Sequence, residues 1–98
     1  MDDQARFLEI VSEMFTWAGA LPHLLNRIGA GLTMATISLN DKAQLLLASN
    51  RIGDLFKKAG EMMDKGNLDE LSAITDQLRE QIVKATLILD RLKVPDPD

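Results

Sequence analysis

The chain has 98 residues, enough for one small domain built on a single core. Apolar residues make up 46% and charged ones 27%, too apolar for a disordered chain; the absence of cysteine excludes disulfides and thiolate chemistry. One histidine and no tyrosine leave little for general acid–base catalysis, and a net charge of −4 lacks the basic face that nucleic acid requires.

Charge is unevenly spread. Residues 41–98 carry 20 of the 26 charged side chains, whereas Arg27 alone stands between Met14 and Asn40. The chain opens Met1-Asp2-Asp3, opposite in sign to a secretory leader, and with no cysteine the expected compartment is the cytoplasm.

The first predicted helix covers about residues 3–18. Phe7, Leu8, Val11, Met14, Phe15 and Ala18 form its dry side, and Arg6, Glu9, Glu13 and Thr16 its wet side. Gly19 reads as its stop and Pro22 as the first turn of the next helix.

That second helix, about 22–38, has a stripe of Leu21, Leu25, Ile28, Leu32, Ala35 and Leu39, with Ala30, Met34 and Ile37 opposite. Having so few charges, it is expected to be enclosed on more than one side. A break near Ser38–Asp41 fits, with Ser38 or Asn40 as cap. The alternative is one kinked helix running from 22 to 65, whose overhang would need a second copy or another protein to cover it.

A third helix over about 41–65 has a broad stripe of Leu45, Ala48, Ile52, Leu55, Phe56, Ala59, Met62 and Met63. Gly53 and Gly60 sit seven apart on nearly one edge, a spacing that either admits a close neighbouring helix or merely relieves crowding. Gly66 suits a helix C-terminus and Asn67 an N-cap with Glu70 three residues on, so the fourth helix runs over about 68–93. Leu71, Ile74, Leu78, Ile82, Ala85, Leu89 and Leu92 are its apolar stripe. So short a connection makes the last two helices an antiparallel hairpin.

The fold class is therefore all-α: a bundle of three to four helices in one domain, 1–94, with 95–98 a disordered tail in which two prolines oppose helix. Val94 begins the stretch that looks unstructured.

Few motifs carry chemistry. His23 has Arg27 one turn on, as a histidine phosphotransfer protein would hold a phosphoryl group near a cation. Those proteins have lysine three and glycine four residues after the histidine, where Asn26 and Arg27 stand here. No carboxylate is followed by histidine at i+3 for a di-iron site, and the run 64–70 has its glycine third rather than sixth for a calcium loop. Gly29-Ala30-Gly31 lacks the third glycine and the preceding strand of a dinucleotide site. The expectation is a non-enzymatic chain with no metal or cofactor. The stretch 15–39 is broken by Pro22, His23, Asn26 and Arg27, which argues against membrane insertion.

What remains is association. The charge-poor face of 21–39 is the expected contact, through Leu21, Leu25, Ile28, Leu32, Met34 and Ile37, with Phe15 and Trp17 as aromatic anchors. The partner is a second copy or another helical protein; a small acidic chaperone or adaptor for a helical client is the variant of this reading.

Overall fold

A computed structural model describes residues 3–95. Three helices make up the fold: α1 (Asp3–Leu32), α2 (Leu39–Lys65) and α3 (Leu68–Arg91). No strand occurs among the described residues.

The first two predicted helices are one. α1 runs through Gly19 and carries Pro22 in its interior. Glycine and proline each weaken a helix locally. Here the stripe Ile10, Met14, Leu24 and Ile28, all buried, continues in register across both residues, so burial outweighs the local cost. His23 accordingly lies in mid-helix rather than in a first turn.

The predicted break before α2 is present, and α1 and α2 are separate helices. Thr33 and Met34 turn back on the carbonyls of Ala30 and Gly31, and the Ser38 hydroxyl accepts from the Asp41 N–H at 3.1 Å, capping α2. Residues 33–38, which the sequence places in a helix, are thus the α1–α2 connection.

Both later helix ends use left-handed turns. Gly66 has φ 70° while the Gly66 and Asn67 N–H groups donate to Met63 and Met62; Asn67 then caps α3 by accepting from Glu70 at 3.2 Å. Gly66 and Asn67 thus stand as the end of α2 and the cap of α3. At the end of α3, Lys93 takes φ 60°, with Lys93 donating to Asp90 and Val94 to Leu89. The turn folds Val94 back into the core, where it is 4% exposed, so Val94 is structural rather than part of a loose tail. The tail predicted for 95–98 lies, beyond Pro95, outside the described residues.

Cross-links give the helix directions. Arg91 near the end of α3 meets Asp41 at the start of α2, so these two helices are antiparallel. Arg6 reaches Asp69, Glu13 reaches Arg79, and Arg27 reaches Asp90, so α1 lies parallel to α3. The order is up, down, up. Leu45, Ile52, Leu71, Leu78 and Leu89 form the fully buried centre. Gly31 lets α1 approach it: a Cβ there would stand 3.1 Å from Leu89 Cδ2 and 3.3 Å from Leu45 Cδ1.

Candidate functional site: an uncharged groove between α1 and α2

Each pair of helices leaves a furrow at the surface, and the three furrows differ in chemistry. The α1–α3 furrow is crossed by ion pairs, Arg6 to Asp69 at 3.3 Å, Glu13 to Arg79, and Arg27 to Asp90 at 3.0 Å, which bridge a hollow where Trp17, Leu21, Leu24 and Ile82 lie beside His23 and Arg27. The α2–α3 furrow holds Arg51, Asp54, Lys58, Gln77, Glu80 and Gln81. Between α1 and α2 the lining is Val11, Met14, Phe15, Ala18, Phe56 and Met63, around a cavity of about 100 Å³ with no charged group.

The uncharged lining extends along both helices. On α1, seven-residue steps link Leu8 to Phe15 and Pro22, and Val11 to Ala18 and Leu25, so these residues share one side. On α2, the same step links Leu46, Gly53 and Gly60 along one edge and Ser49, Phe56 and Met63 along the next. Phe15 is 73% exposed, and Leu8, Leu25 and Leu46 are exposed as well. Large exposed apolar side chains also occur on α3, at Val83 and Leu87, but Asp76, Glu80, Lys84 and Asp90 surround them on that helix. Apolar groups set among charges are ordinary on a surface; an apolar strip running along two neighbouring helices is not.

The structure separates the residues that the sequence placed on one face. Phe15 and Leu25 lie on the α1–α2 strip. Trp17 and Leu21 turn to the other side of α1, against Ile82 and Thr86 of α3, and the Trp17 indole N–H donates to Glu13 at 3.4 Å. Ile28 is 2% exposed and belongs to the core. Leu32, Met34 and Ile37 are half-buried against that core at the α1–α2 connection. The reason is that α1 docks through Leu24, Ile28 and Gly31, which consumes the centre of the charge-poor face and leaves its edges.

Leu8, Val11, Leu46, Phe56 and Met63 complete the strip. For all of these but Leu46, which no predicted stripe included, the signal in the sequence was the width of the apolar stripes on α1 and α2, broader than one neighbouring helix can cover.

Arg27, the one cation of the charge-poor segment, is structural. Its guanidinium is buried and donates to Asp90 and to the Val94 carbonyl, both at 3.0 Å, at the negative end of α3. His23 lines the same shallow hollow on the α1–α3 side.

Asp41 is the other buried charge. The Arg91 guanidinium beside it, through hydrogen bonds and charge, holds its carboxyl below the usual range against the opposing effect of burial. Among the described residues, no group of His, Asp or Glu is placed to hold a metal ion, and no helix is long and apolar enough to cross a membrane.

Among the described residues the fold is a three-helix chain with an apolar groove between α1 and α2. No family model, curated protein or solved structure matches it.

Proposed function

We propose that this chain is a non-enzymatic association module, one that binds a helical surface along the α1–α2 strip. The observation that carries this reading is the α1–α2 groove itself, which exposes Phe15, Leu8, Leu25 and Leu46 with no charged side chain in its lining and no ion pair across it, whereas charged side chains line the α2–α3 furrow and ion pairs bridge the α1–α3 one. Water on such a strip is displaced favourably by another apolar surface, at about 25 cal/mol per Å² of apolar area covered. The face expected from residues 21–39 is thereby shifted toward the N-terminal half of α1 and onto α2. The cysteine-free composition supports a cytoplasmic setting for the association.

Two measurements on wild type and Phe15→Asp test the reading: solution mass, and fluorescence of a polarity-sensitive naphthalene sulfonate dye. A covered strip gives a species heavier than the 10.9 kDa chain, and an open one gives dye binding. In either case the signal should vanish in a Phe15→Asp protein that keeps its helical circular dichroism. A wild-type monomer that binds no dye, or a signal unchanged by Phe15→Asp, contradicts the reading.

A further inference from the structure

The strip has a pattern that selects among occupants. Its charges on α2 lie only at the ends and margin: Lys42 in the first turn, Asp64 in the last, with Lys57 on the outer margin. Lys42 and Asp64 are separated by 22 positions, about 33 Å along the helix axis. Gly53 is the residue midway between them. It is exposed, and a Cβ placed on it would meet no atom within 4 Å, so nothing in the single chain requires a glycine there.

We infer that the occupant of the strip is a second copy of this chain, placed antiparallel by a two-fold axis that crosses α2 at Gly53. The inference rests on the association reading above. Such an axis sets Lys42 of one protomer against Asp64 of the other, twice over, and it stacks Gly53 on its own copy. It also sets the large Leu46 of one protomer against Gly60 of the other, bulk against gap. A parallel two-fold arrangement, with the axis along the helices, lays α2 on the uncharged side of α1 and leaves Lys42 and Asp64 without partners. A self-complementary patch of this kind closes into a dimer and goes no further.

Because the chain contains no cysteine, Gly53→Cys gives a single thiol at the axis. Under mild oxidation it should convert to a covalent dimer, since a disulfide needs Cα atoms only about 4.4–6.8 Å apart. Ala73→Cys, on the exposed face of α3, should stay reduced in the same conditions. The charge arm uses Lys42→Glu and Asp64→Lys, each of which favours its helix end and so spares the fold. Each alone should weaken the dimer about 10-fold, and the double variant should bring it back to within about 3-fold of wild type.

A dimer that Phe15→Asp disrupts, without Gly53 cross-linking or charge-swap rescue, overturns this geometry and leaves the association reading in place. A monomer that keeps its Phe15-dependent dye binding overturns the second copy as occupant, again leaving that reading. Loss of both signals in the wild type ends the two together.

Discussion

Arg91 and Asp41 close the α2–α3 hairpin at its open end. The guanidinium donates to both carboxylate oxygens, at 2.6 and 3.3 Å, while the Asp41 N–H is held by Ser38. One aspartate thus ties together the helix cap and the far helix. The Arg91 bond is the chief reason its carboxyl titrates below the usual range.

A folded-state pKa below the unfolded one means that the unfolded chain takes up the proton first. Asp41 therefore contributes stability above the ordinary carboxylate range and loses that contribution as the pH falls through the folded value. Urea unfolding followed from pH 7 down to about 2 should show an acid-labile component that Asp41→Asn removes, making the pH profile shallower. An unchanged profile in Asp41→Asn would show that other carboxylates carry the acid sensitivity.

Arg27 should matter to stability rather than to chemistry. Removing it leaves the Val94 carbonyl without that donor and a space beside α3, so Arg27→Ala should cost about 3 kcal/mol. Arg27→Met keeps the packing of the aliphatic stem and should cost roughly half as much. Equilibrium denaturation of both variants checks the order. Equal losses would mean that charge pairing, not packing, dominates.

The glycines of α1 are not equivalent. Gly19 has open space where a Cβ would go, so Gly19→Ala should gain up to about 1 kcal/mol of helix propensity. At Gly31 a methyl would press on Leu89 and Leu45, both fully buried, and crowding outweighs propensity. Gly31→Ala should be destabilising by about 1 kcal/mol net. Thermal melts at low protein concentration compare the two; a gain at Gly31 would mean that the leucines move aside freely.

Helix ends marked by side-chain chemistry were legible in the sequence. Ser38, Gly66 and Asn67 stand where the caps are, because a cap is a local bargain between a side chain and nearby backbone. Gly19 and Pro22 misled for the complementary reason. They are local breakers, while the force that holds α1 straight through them is the burial of Met14, Leu24 and Ile28 against helices far along the chain. Lys93 was misread in the same way, as a last helical residue, since nothing in lysine announces a left-handed turn; only the burial of Val94 explains it.

The candidate surface was half legible. Phe15 and Leu25 could be named from the scarcity of charge around them. Ile28 could not be told from them by spacing, because a stripe does not state which of its rows a neighbour covers. Phe56 and Met63 were visible only as extra width on the stripe of α2. Their pairing with Val11 and Phe15 depends on the side from which α1 docks.

The most direct test of the central claim is solution mass by light scattering after gel filtration, for wild type, Phe15→Asp and Leu87→Asp, at two concentrations tenfold apart. The expected result is twice the 10.9 kDa chain mass for wild type and for Leu87→Asp, which alters the charged face of α3, and a folded monomer for Phe15→Asp. A wild-type monomer at both concentrations, or a dimer that Leu87→Asp breaks and Phe15→Asp leaves intact, would contradict self-association through the α1–α2 strip.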